Sequence, residues 1–279
     1  MSKLSLPDIR AKFRALHDHG CFVIPNAWDV GSAVYLQHMG FPAVASTSAG
    51  FAFTLARPDN GIPLSALLQH LRDLSGELQI GVNADFENAF ADDLEGVAAN
   101  VTKAVATGVS GLSVEDLTGR KDKPLYDFDL AVRRIRAARA AIDATGENVM
   151  LIARTECFWL STPGPFDEAI KRATAFAEAG ADCIFVPGAL SREQIATLVK
   201  EVAPHPVSVI RNSPGLTVSE LADLGVRRIS VGPLLARAAW TAFVEMAKEI
   251  RESGSFDSAA KLMPTAPLNE LFAQHAAQL

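Results

Sequence analysis

The stretch EAGADCIFV, residues 178 to 186, holds the plan of the whole chain. A segment of helical composition stops at Gly180, and a short apolar run through Ile184 and Val186 begins after Asp182. A glycine just past a helix takes the left-handed conformation that other residues resist, so the stretch reads as helix, turn, strand. The same passage recurs as HMGFPAV (38 to 44), ATGVSGLSV (106 to 114) and DLGVRRISV (223 to 231).

Working outward, strand-like runs appear at 21 to 25, 42 to 47, 79 to 85, 111 to 116, 149 to 154, 183 to 187, 207 to 211 and 227 to 232. Each is followed by a segment of helical period. Leu94, Val97, Val101 and Val105, for example, recur at spacings of three and four behind Asp92 as the expected cap. Eight such units in 279 residues predict a (β/α)8 TIM barrel over residues 1 to 250, with a C-terminal helical extension over 251 to 279. A doubly wound open sheet is the alternative, but no G-x-G-x-x-G follows any strand.

Composition narrows the function. A net charge of -6 without a basic stripe argues against a nucleic-acid partner or a membrane surface. Within the uncharged run from Val30 to Ala56, the stretch Gly40 to Ala56 is shorter than a membrane span and contains several hydroxyls. The N-terminal segment lacks a signal-peptide core, and Cys21, Cys157 and Cys183 are odd in number and far apart. Reduced thiols in a cytoplasmic protein are the expectation.

Chemistry in such a barrel belongs at the C-terminal ends of the strands. The polar residues there are Thr47 and Ser48, then Asn83, Asp85 and Glu87, then Glu115 and Asp116, and Arg154. Side chains alternate along a strand, so Asn83, Asp85 and Glu87 share one face, while Glu115 shares a face with Ser113 and Asp116 takes the other. Asp85 with Glu115 is therefore the expected metal-facing pair, directly or through water as Mg²⁺ prefers. Arg154 offers a planar fork for a substrate carboxylate or phosphonate. A buried ion-pair network closing the barrel mouth would gather the same residue types.

The motifs NAWDVGSA (26 to 33), STSAG (46 to 50), VNADFE (82 to 87), VED (114 to 116), ARTE (153 to 156) and GADCIFVP (180 to 187) resemble, in order and spacing, the isocitrate lyase and phosphoenolpyruvate mutase superfamily, from about Phe22 to Ile250. The resemblance implies a (β/α)8 barrel that uses Mg²⁺ (or Mn²⁺) to hold an α-oxo or α-hydroxy carboxylate while a C–C or P–C bond beside an enolate is made or broken. It also implies a homodimer or homotetramer exchanging C-terminal helices. Carried over by position, Asp85, Glu115 and Asn83 are the metal candidates, and Arg154, Asp59 and Glu87 the catalytic ones. Thr47, Ser48, Ala49 and Arg154 would receive the substrate, and Trp28 would wall the pocket or pack.

Several positions depart from the family pattern. Asn83 replaces the first Asp of D-A-D, and Ala89, Phe90 and Ala91 stand where the family has G-Y-G. The lyase motif K-[KR]-C-G-H is replaced by LTGRKDKPLYD (117 to 127), Pro187 occupies the Glu or His position after the sixth strand, and the seventh-strand Asn falls on Ile210, with Asn212 two residues on. These changes argue against isocitrate and methylisocitrate cleavage. Three readings compete: a Mg²⁺-dependent lyase acting on a small oxo- or hydroxy-(di)carboxylate, P–C chemistry on phosphonopyruvate or phosphoenolpyruvate, and a barrel that binds a ligand without turning it over. An absent histidine and a lack of further basic residues at the rim weigh against the second. At the far end, Leu268, Leu271, Phe272, His275 and Leu279 form one apolar stripe, which either crosses to a neighbouring subunit or folds back on its own barrel.

Overall fold

The computed structural model describes residues 3–160, 164–188 and 190–277. Among these, β1 (Phe22–Ile24), β2 (Asn26–Ala27), β3 (Ala43–Ser46), β4 (Gly81–Asp85), β5 (Gly111–Glu115), β6 (Met150–Arg154), β7 (Cys183–Phe185), β8 (Val207–Ile210) and β9 (Arg228–Ser230) form one parallel sheet in the order β1-β9-β8-β7-β6-β5-β4-β3-β2. The first strand, expected as a single run from 21 to 25, is split at Pro25, which has no N–H to give a ladder. Its first half pairs with β9, Phe22 opposite Arg228, and its second half with β3, Asn26 opposite Ala45. The two ends of the sheet thus meet at one proline and close an eight-stranded barrel. Asn26 seals the seam: its Oδ1 accepts from Ser230 Oγ (3.0 Å), Val231 N (3.1 Å) and Gly232 N (2.9 Å), while its Nδ2 donates to Ser46 O (2.8 Å).

The glycine turns behave as the sequence predicts: Gly40, Gly108, Gly180 and Gly225 have φ of 86°, 92°, 99° and 87°. The helix Leu94–Val105 buries Val97, Val101 and Val105, but its cap is Asp93, which accepts from Gly96 N at 2.7 Å. Asp92 instead accepts a hydrogen bond from Tyr126 Oη. A helix absent from the sequence reading, Leu6–Ala15, closes the N-terminal end of the barrel with Phe13. A Cβ at Gly81 would lie 2.5 Å from the Phe13 ring, so both glycine and phenylalanine are needed for that fit.

The last barrel helix, Leu234–Ser253, runs through the boundary expected at 250 and leaves Trp240, Phe243, Val244 and Ile250 exposed. The helix Thr265–Ala276 then folds back on its own chain, against the helix Val30–His38. Leu271 is buried and His275 Nε2 meets Glu77 at 2.9 Å, whereas Phe272 is exposed and Leu279 lies outside the described residues. No helix among the described residues is long and apolar enough to cross a membrane.

Candidate active site

Asp85 ends β4 and is held from two sides: Oδ2 accepts from Ser48 N at 3.0 Å, and Oδ1 from Arg154 Nη1 at 3.2 Å. Arg154 Nε also lies 3.3 Å from Glu115 Oε2 and donates to Glu156. Burial pushes the Arg154 guanidinium down, but Glu156, Glu115 and Asp85 outweigh it and hold its pKa well above the ordinary value. Burial also pushes the Glu115 carboxyl far up, against the pull of Arg154. Around one arginine, then, the strand ends gather more carboxylates than it can neutralise.

Thr47, Ser48, Ala49, Asp59, Asn83, Asp85 and Arg154 all line one cavity of about 220 Å³ at the barrel mouth. Thr47 caps the helix Ser48–Thr54 by accepting from Gly50 N, which turns the Ser48 amide toward Asp85. Asp59 belongs to an exposed loop, yet its carboxyl is hydrogen-bonded by Ser48; burial of that carboxyl raises its pKa, and Asp85 adds to the effect. Glu115 and Glu87 line an adjoining cleft of about 430 Å³. Trp28 is in neither: it lines an apolar groove with Trp240 and Phe243, because β2 ends at Ala27 and the following residue turns outward. Asp116 also points away, as alternation predicts, accepting from Thr155 Oγ1 (2.7 Å), Glu156 N (2.9 Å) and Arg172 Nη1 (3.0 Å).

Glu87 is buried, its Oε1 has no hydrogen-bond partner among the described residues, and burial, then Asp85 and Asp59, push its pKa up to about 8. Its φ of 47° begins a strained turn in which Ala89 (57°), standing where the family has its first glycine, and Phe90 (53°), at the tyrosine position, are also left-handed. Side chains hold that turn in place. Arg134 donates to the carbonyls of Asn88, Ala91 and Asp92, and Asn100 to those of Ala89 and Phe90. The LTGRKDKPLYD segment folds on itself, with Leu117 bridged to Leu125 and Thr118 N donating to Pro124 O at 2.8 Å, and lines the cleft of Glu87 and Glu115 through Leu117, Thr118 and Gly119. Burial pushes the Cys157 thiol up to about 11, which keeps it from acting as a ready nucleophile.

The structure adds residues to this cavity that the sequence reading passed over, chiefly Arg228, Arg237 and Trp159. The cavity therefore has further basic residues. For Arg228 the signal was the pair Arg227–Arg228 in a buried strand, since alternation sends one of two neighbours inward. A larger cavity of about 700 Å³ opens alongside, between Trp159, Arg192 and Arg211, and contains neither Asp85 nor Arg154.

Among the described residues no group of three or more His, Cys, Asp and Glu side chains is placed to hold an ion directly. The donors at hand are all carboxylate or amide oxygens, Asp85 with Asp59, Glu87, Glu115 and Asn83. That set suits a small hard cation that keeps most of its water and touches one or two carboxylates.

A parallel barrel with carboxylates and an arginine converging on its C-terminal rim defines an enzyme-type site for a small anion. The chain belongs to the isocitrate lyase/phosphoenolpyruvate mutase superfamily, and the phosphoenolpyruvate phosphomutase family matches residues 13–251. It is similar to a solved Burkholderia cenocepacia J2315 structure described as a lyase/mutase, with 41% identity, TM-score 0.92, and 96% and 97% of the two chains covered. An uncharacterized protein of Mycobacterium tuberculosis H37Rv is 32% identical over 86% of this chain and 89% of its own. The oxaloacetate decarboxylase of Pseudomonas savastanoi pv. phaseolicola is 29% identical over 90% and 88%. The superfamily includes both lyase and mutase chemistry on small oxo- and carboxylate substrates.

Proposed function

We propose that this protein is a Mg²⁺-dependent carbon–carbon lyase that cleaves a small α-oxo or α-hydroxy dicarboxylate through an enolate, with decarboxylation of a 2-oxo dicarboxylate as the leading case. The observation that carries this reading is Asp85, fixed between Ser48 N and Arg154 at the edge of a cavity sized for a small acid. Arg154 and the segment Thr47 to Ala49 would hold the substrate's first carboxylate and oxo group. Asp85, with Asp59, Glu115 and Asn83 through water, would hold the cation. When bound, that cation supplies positive charge beside the developing enolate. In decarboxylation the bond from C3 to the departing carboxyl carbon breaks, CO₂ leaves, its electron pair becomes the enolate, and a proton is then taken up at C3. This needs less acid–base machinery than aldol-type cleavage, in keeping with a mouth that lacks the lyase cysteine motif. The oxaloacetate decarboxylase likeness supports the same choice.

Phosphorus–carbon chemistry is the second reading, and Arg228 and Arg237 in the cavity lining favour it. A coupled assay for pyruvate release from a panel of oxo- and hydroxy-acids, with and without Mg²⁺, tests the first. Metal-dependent release from a dicarboxylate is expected, together with weaker Mg²⁺ binding by Asp85→Ala in calorimetric titration. Release from phosphonopyruvate alone, or identical metal binding by both proteins, would overturn it.

A further inference from the structure

Of the three guanidinium groups lining the mouth cavity, those of Arg154 and Arg228 are in opposite electrical situations. Arg154 is surrounded by Asp85, Glu115 and Glu156. Arg228 lies deeper, two residues before the end of β9 and so about 6–7 Å below it. It is 2% exposed, its Nη1 donates to Asn83 Oδ1 at 3.2 Å, and its Nε has no hydrogen-bond partner among the described residues. Asn83 is neutral. The titratable groups acting on Arg228 do not neutralise it. Burial raises the Cys183 thiol to about 12 and lowers His17 to about 3, so both are uncharged near neutral pH, and Asp85 acts on Arg228 only at a distance, its own hydrogen bonds going to Ser48 and Arg154. Burial disfavours the Arg228 charge, but arginine keeps its proton in proteins. A buried cation without a counter-charge is costly, and here it borders a cavity a ligand can enter.

We propose that Arg228, presented by Asn83, is an anion subsite at the floor of the mouth cavity, taking the second anionic group of a substrate whose first carboxylate meets Arg154. This rests on the carboxylate-binding reading above and sharpens it: the substrate is a doubly anionic acid, its far group a carboxylate or a phosphonate. Asn83 then has its own purpose. An aspartate there would neutralise Arg228 from within, whereas the amide fixes the guanidinium and leaves its charge for the ligand.

The test compares ligands with one head group and one or two anionic groups: lactate with L-malate, and pyruvate with 3-phosphonopyruvate, by calorimetric titration in Mg²⁺. The wild-type protein should bind at least one two-anion ligand roughly tenfold or more tightly than its partner, the scale of one charged hydrogen-bonded contact. Arg228→Met should bring that ratio to near unity and leave the one-anion affinity unchanged. Which pair shows the effect identifies carboxylate or phosphonate. A ratio that survives in Arg228→Met, or is absent from both pairs in the wild type, overturns the subsite. If no carboxylate binds the wild type at all, the underlying reading falls with it. Unliganded melting separates a packing role: the Met variant should melt at or above the wild type, and earlier melting with an intact ratio makes Arg228 structural. Should Arg228→Met not fold, Arg228→Lys serves, with a severalfold drop in the ratio expected and an unchanged ratio overturning.

Discussion

Arg154 Nη1 and Asp85 Oδ1 face each other across the barrel mouth at 3.2 Å. The contact joins the ends of strands that are not neighbours, β4 and β6, so it reports the packing of the barrel as well as the chemistry of the mouth.

Replacing Arg154 with Lys keeps the charge and loses the fork. Oxalate or oxo-acid binding should weaken by about 1.5–3 kcal/mol, with melting little changed. Arg154→Met should cost stability too, about 3–5 kcal/mol, because it strands buried carboxylates. Calorimetry paired with thermal melting reads both. Early melting of the Lys variant with unaltered ligand affinity would mean that Arg154 only braces the barrel.

The Asp116–Arg172 pair behind the site should behave in the opposite way. Both side chains are buried and bonded at 3.0 Å, so Asp116→Ala should destabilise by about 3–5 kcal/mol. Direct ligand contact is absent, so affinity measured on the folded fraction should hold. Loss of affinity at unchanged stability would move Asp116 into the binding site.

How much of this was legible in advance depends on how local the signal is. The eight barrel strands follow from glycine turns and apolar runs, both encoded within a few residues, and Asp85 and Arg154 follow from counting to strand ends. The split at Pro25 was visible as a proline, but its use as the meeting point of both sheet ends depends on β9, some 200 residues away. The cap moved from Asp92 to Asp93 because Tyr126 binds Asp92 and Arg134 holds the loop before the helix, both long-range contacts. Arg228 was missed for a related reason. Alternation says that one of two adjacent arginines points inward, but not which one.

His70 offers a pH signature independent of the site. It stacks on Phe51 with ring centroids 3.9 Å apart, and burial lowers its pKa from 6.5 to about 4. Between those values the unfolded chain takes up the proton before the native one, so this residue's contribution to stability falls as pH drops from 6.5 toward 4. The slope should reach at most about 1.4 kcal/mol per pH unit. His70→Phe should flatten the loss across that window in denaturant melts at stepped pH. Parallel wild-type and variant curves would show that His70 titrates normally.

The apolar face of Leu234–Ser253, with Trp240 and Phe243 in edge contact and both exposed, should be covered by a second copy of the chain. We expect a homodimer or homotetramer by light scattering, and dissociation on Phe243→Glu or on truncation after Glu252. A full-length protein that is monomeric at micromolar concentration would count decisively against exchange of the C-terminal helices.

The seam at Pro25 also fixes an order of events during synthesis. Asn26 leaves the ribosome early, yet the hydrogen bonds that seal the ring join it to Ser230, Val231 and Gly232, at sequence separations of 204, 205 and 206. Until those residues emerge, the growing chain is an open sheet with β1 lacking its partner on one side and each newest strand exposing the opposite edge. Such edges recruit other strands. The longest-range strand pairing in the molecule is therefore its last, and the nascent protein should carry an unpaired edge until its final barrel strand arrives.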